Sequence, residues 1–180
     1  MLRDFFRAPP PEAKGLRVFA HASAAAEIQA VLELERELKL GLVLVHAREA
    51  GRLVDEIRAA GVPVILGPLT AEDPRDVLEA PGRLARAGVP IAFASDAPRT
   101  SEAQLRHAAA FAIRHGLDPV AALRALTETP ATLLGMDDRL GALEPGREAD
   151  FVVYSGHPLS LASAVERVVV GGREVYRRSP

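Results

Sequence analysis

Four short apolar runs recur along the first part of the chain. Each is followed by a stretch in which apolar residues return every three or four positions. Residues 16–22 (LRVFAHA) lead into 24–38, where Ile28, Val31, Leu32, Leu34 and Leu38 fall close to helical spacing. Residues 40–46 (LGLVLVH) lead into 47–61, with Leu53, Val54 and Ile57 on one face. Residues 62–68 and 89–95 are the third and fourth runs. These runs are apolar throughout rather than alternating, the pattern of parallel strands covered on both faces. The tetrapeptide Ala-Gly-Val-Pro stands at 60–63 and again at 87–90. In both places it sets Gly at a helix end and Pro at the start of a strand. Strand, helix and strand at this spacing predict α/β architecture: four parallel βα units with right-handed crossovers. The fourth unit ends in a helix over 101–116, and a shorter helical pair follows over 118–135. Residues 70–82 (TAEDPRDVLEAPG) are long and Pro-rich for a βα connection. They read as a substrate loop or as an irregular surface connection.

From Gly141 the pattern changes to short apolar runs punctuated by Gly and Pro. Gly171-Gly172, between Val168-Val169-Val170 and Val175-Tyr176, predicts a two-residue hairpin. With a boundary near residue 136, the expected organisation is an N-terminal extension (1–15), the βα units (16–136) and a small β appendage (137–180).

Composition narrows the classes of function. The chain has 180 residues, 48% of them hydrophobic and 26% charged, which is ordinary globular usage. A formal charge of −2 argues against a nucleic-acid or polyanion partner. There is no cysteine, hence no disulfide framework, thiolate metal site or cysteine nucleophile. The opening MLRDFFRAPPPEAKG lacks the apolar core of a secretory signal, and no apolar run approaches the roughly 20 residues needed to span a bilayer. A cytoplasmic protein without a membrane partner is expected.

In parallel α/β folds, ligands bind beyond the carboxyl ends of the strands. The four predicted strands end in His21, His46, Gly67-Pro68 and Asp96. Asp96 closes AGVPIAFASDAP, where a carboxylate at the end of an apolar strand suffers desolvation and needs a partner. Two imidazoles and a carboxylate on one rim suit Zn²⁺, with Mn²⁺, Fe²⁺ or Ni²⁺ as alternatives. Each residue also has an ordinary structural reading: a packed or capping histidine for His21 and His46, and an Asx-turn for Asp96. His107 and His115 read as helical surface or packing residues, and His157 as an exposed turn residue.

The segments GALEPGREADFVV (141–153) and VERVVVGGREVY (165–176) resemble the carboxy-terminal signature of the metal-dependent amidohydrolase superfamily. Residues 115–141 are similar to the preceding segment of its imidazolonepropionase-like branch. The resemblance implies a (β/α)8 TIM barrel with one or two divalent metals on its rim. It also implies hydrolysis of non-peptide C–N bonds in small amides, cyclic amides, ureas and aminated rings. On this chain His21 and His46 match the ligands of the fifth and sixth strands. Asp96 matches the eighth-strand aspartate, which binds metal and acts as general base toward the attacking water. The family's first strand ends in His-x-His, which this sequence lacks, and Lys14 lies before a strand rather than at the end of one. The four units therefore correspond to strands five to eight, a half-barrel, and the appendage to part of a β-sandwich.

Two other readings stand beside this one. A non-catalytic module would keep the fold and assemble with itself or with a partner. A flavodoxin-like domain would need a Gly-rich first loop, whereas AHASAAAE has no glycine. A half-barrel would leave 16–21 and 90–95 as open edges. It would also leave Val18, Val43, Val45, Ile65 and Phe93, in one alternation or the other, facing no opposing layer. A homo-oligomer or a complementing N-terminal half is the expected remedy.

Overall fold

Four three-residue strands are hydrogen-bonded in the order in which the chain makes them: β1 (Phe19–His21), β2 (Val43–Val45), β3 (Val64–Leu66) and β4 (Ile91–Phe93). All neighbours are parallel, with Phe19 opposite Val43, Val45 opposite Ile65, and Ile65 opposite Ala92. The computed structural model describes residues 17–179, so the predicted 1–15 extension lies outside the described residues. The strands are shorter than the apolar runs because flanking residues such as Leu42, Val62 and Val89 are buried in the turns.

Helix α1 (Ala25–Leu38) follows β1 and ends at Lys39, which has a positive φ. After β2 the predicted 47–61 helix is divided into a single 3-10 turn (Ala50–Arg52) and α2 (Val54–Ala60). After β3 the structure corrects the loop reading of 70–82. From Arg75 these residues belong to α3 (Arg75–Arg86), with Pro81 inside the helix. Val77, Leu78, Ala80, Pro81 and Leu84 are buried along it, so one apolar helical face outweighs the local cost of proline. Helices α4 (Gln104–Arg114), α5 (Pro119–Arg124) and α6 (Glu128–Leu134) complete the set. Asp118 caps α5, its Oδ1 accepting the amides of Val120 and Ala121 at 2.9 Å.

The two faces of the parallel sheet differ. Leu44, Val64, Leu66, Ile91 and Phe93 point into the main core with Ile28, Leu32, Ile57, Leu84 and Ala112. On the other face lie Phe19, His21, Val43, Val45, Ile65 and Ala92. There only Val43 and Ala92 are buried, against Leu133 of α6, while Phe19 is 42% exposed. Phe93 therefore belongs to the helix-covered side and not to the open one. The β4 edge is also less open than expected, because the Phe93 amide donates to the Ala125 carbonyl at 3.3 Å.

A second sheet is antiparallel, in the order β5 (Phe151–Tyr154), β6 (Val165–Val170) and β7 (Arg173–Arg177). Gly171 and Gly172 have φ of 55° and 75°, the double positive φ of the predicted hairpin turn. No described residue of these three strands is buried. The sheet is tied to the rest by Leu159, which sits in the main core, and by Arg106 of α4. Arg106 donates to the carbonyls of Pro158, Ser160 and Ser163 and lies 4.6 Å from the Tyr154 ring centroid.

Candidate metal centre

The strand register carries three separated residues to one rim. His21 is the last residue of β1, His46 follows β2, and Asp96 lies three residues beyond β4. The ladder continues past the strand ends. Ala22 N–H donates to Val45 O, His46 N–H to Ile65 O, and Ala94 N–H to Leu66 O. The side chains meet in a row: His21 Nε2 is 2.6 Å from His46 Nδ1, and His46 Nε2 is 2.6 Å from Asp96 Oδ1. The two rings stand edge to face with centroids 4.6 Å apart.

Proton bookkeeping orders this row. An ionised carboxylate only accepts, so the His46 Nε2 contact with Asp96 needs the hydrogen on Nε2. With His46 in that neutral tautomer, its Nδ1 accepts from His21 Nε2, and the remaining lone pair of the histidine pair is on His21 Nδ1. The His46 and Asp96 side chains are about a quarter exposed, and His21 is exposed.

The backbone marks the same residues. Among the described residues, non-glycine positive φ occurs at Lys39, His46 (58°) and Asp96 (59°). That region is uncommon for any residue with a side chain, and such conformations persist where the surroundings over-determine them. Gly67, between β3 and the rim, has a φ of 117°, and a Cβ there would meet the Ala94 carbonyl oxygen at 2.5 Å. That position admits only glycine.

Charged groups pin the surrounding loops. The amides of Ala24 and Ser23 hold the Glu27 carboxyl below its ordinary value, a one-sided capping arrangement at the start of α1. Burial raises Asp73. The Thr70 amide and the Arg48 guanidinium outweigh that effect and hold its carboxyl below 3.8. His107 and His115 are half-buried on or beside α4 and His157 is exposed; none of them joins the row. The sequence reading passed over Arg48 and Glu49, although two opposite charges directly after a strand-end histidine were a visible signal.

The donor types, two imidazoles and a carboxylate, fit a divalent ion of nitrogen and oxygen preference. Their placement is a row rather than a cup. Among the described residues no three histidine, cysteine or acidic groups converge on one point.

A parallel βα sheet with a polar rim at its carboxyl ends, followed by an antiparallel sheet, defines an α/β protein. The Amidohydrolase family model matches residues 1–176, and the chain belongs to that family. An amidohydrolase from Thermotoga maritima superposes with a TM-score of 0.81 at 36% identity, covering 92% of this chain and 44% of that one. Imidazolonepropionase from Aeromonas hydrophila is 40% identical over 103 residues, 52% of this chain and 25% of its own length. Adenine deaminase from Methylobacterium nodulans is 45% identical over 74 residues, 41% of this chain and 12% of its own. This chain thus spans less than half the length of each. Members of the family are metal-dependent hydrolases. Among the described residues no helix is long and apolar enough to cross a membrane.

Proposed function

We propose that the chain carries the part of a metal-dependent hydrolase corresponding to strands five to eight of a (β/α)8 barrel, acting on non-peptide C–N bonds of a small amide, cyclic amide or aminated ring. The observation that supports this most is the Asp96–His46–His21 row, drawn from three strands onto one rim. The imidazolonepropionase and adenine deaminase relatives support the bond class, since both act on C–N bonds. A divalent ion, zinc in the first place, would supply Lewis acidity and lower the pKa of water. His21 and His46 would hold it as neutral imidazoles. Asp96 would contribute one carboxylate oxygen and use the other to take the proton of the attacking water, later returning it to the leaving nitrogen.

A second reading rests on the exposed face that carries Phe19, His21, Val45 and Ile65. The chain would be a component that needs a further βα layer, either a second copy or a complementing N-terminal half.

Elemental analysis of the purified protein tests the site. About one divalent ion per chain is expected, held weakly because three ligands leave positions open. The His21→Ala/His46→Ala double variant should hold none, and equal content in both proteins overturns the assignment.

A further inference from the structure

The segment directly after His46 reaches in two directions. Toward α1, the Glu49 amide donates to the Ser23 carbonyl at 3.1 Å, and Glu49 Oε2 accepts the Ala25 amide at 2.7 Å. Glu49 thus grips the chain two residues beyond His21. Toward β3, Arg48 pairs with Asp73 at 2.5 Å. Asp73, its side chain only 9% exposed, in turn accepts the Thr70 amide at 2.7 Å. Arg52 closes the arrangement, pairing with Glu49 at 2.7 Å and with Asp76 of α3 at 3.4 Å. Beneath it Ala47 and Ala50 are fully buried, and a Cβ on Gly51 would come within 2.9 Å of the Ala80 Cβ. The turn therefore lies directly on α3.

We infer that Arg48 and Glu49 form a clasp that positions His46. The left-handed backbone at His46 (φ 58°) aims its ring at both His21 and Asp96, and a change to the commoner right-handed region would redirect the ring. Glu49 fixes the segment to the strand that carries His21, and Arg48 fixes it to the loop after β3. His46 is held between them. Both are positioning residues, acting through His46. The inference draws its purpose from the metal-site reading; its geometry stands without it.

The test uses ring-nitrogen NMR signals of His46 in the full chain, with zinc titration as a second readout. Glu49→Ala and Arg48→Ala should each move the His46 signals. Each should also weaken zinc binding about tenfold, the usual effect of removing a group that orients a ligand. Glu49→Gln keeps an acceptor for the Ala25 amide and should restore the wild-type signals. Asp118→Ala removes the cap of α5, whose partners Val120 and Ala121 lie outside the clasp, so it should lower stability and leave His46 unmoved. Unshifted His46 signals in both alanine variants overturn the clasp. So does an Asp118→Ala shift of equal size, which would reveal a general loosening. Shifted signals in a protein that binds no zinc would leave the clasp standing and refute the metal reading.

Discussion

Asp73 stands at the junction of a buried environment and two favourable contacts, and the balance sets its titration. Its carboxyl is held below the ordinary 3.8, so the ionised form is favoured by folding. Stability from that source is complete above the ordinary value and is lost as pH falls through the lowered one. Asp73→Asn should cost about 1 kcal/mol at neutral pH, the scale of a charged hydrogen bond partly open to water. The gap to wild type should close in acid, once the pH has fallen through the lowered value and the carboxyl is protonated in both states. Urea denaturation at both pH values checks this, and a gap of equal size at each would refute it.

Among the elements, α3 depends most on close approach. A Cβ on Gly82 would meet the Gly116 carbonyl oxygen at 2.7 Å and its carbon at 2.9 Å. An alanine there gains helix propensity of about 1 kcal/mol. The obstacle is backbone, which cannot swing aside as a side chain can, so the clash outweighs the gain. Gly82→Ala should lower the melting temperature by several degrees, corresponding to about 1–2 kcal/mol; an unchanged or higher value would count against the packing described. This helix also shows where sequence reading stops. The strands, α1, the helical pair and the Gly171-Gly172 hairpin were legible from apolar spacing and turn chemistry. So was the placement of His21, His46 and Asp96 on one rim, because strand ends are countable. Helix α3 was not, since Pro74 and Pro81 punctuate it and only burial against neighbouring elements reveals its apolar face. Nor were the left-handed backbone at His46 and the reach of Glu49 to Ala25, which depend on contacts between segments distant in sequence.

At the scale of the molecule, two sheets are each incompletely covered. The parallel sheet leaves Phe19 exposed and Val45 and Ile65 half-buried on the side where Leu133 of α6 packs, and the antiparallel sheet has no buried residue among its described strand residues. Apolar faces of this kind usually mark an interface. The β1 edge is the more available of the two outer edges, since the Phe93 amide is already bonded to Ala125. The isolated chain is expected to associate at micromolar concentration and to be nearly inactive on amides and aminated rings. Light scattering decides the first point, and a monodisperse single-chain mass with a cooperative melt would show that the faces need no cover.

The left-handed backbone at His46 and Asp96 carries a consequence for anyone who would redesign this protein. Judged by backbone conformation alone, glycine is the easier residue at both positions, although histidine and aspartate tolerate that region better than most side chains. A search for greater thermal robustness would therefore select glycine first at the two places where imidazole and carboxylate are wanted, and would erase the row in the act of relaxing it. The positions most in need of protection from optimisation are the ones the chain itself holds least comfortably.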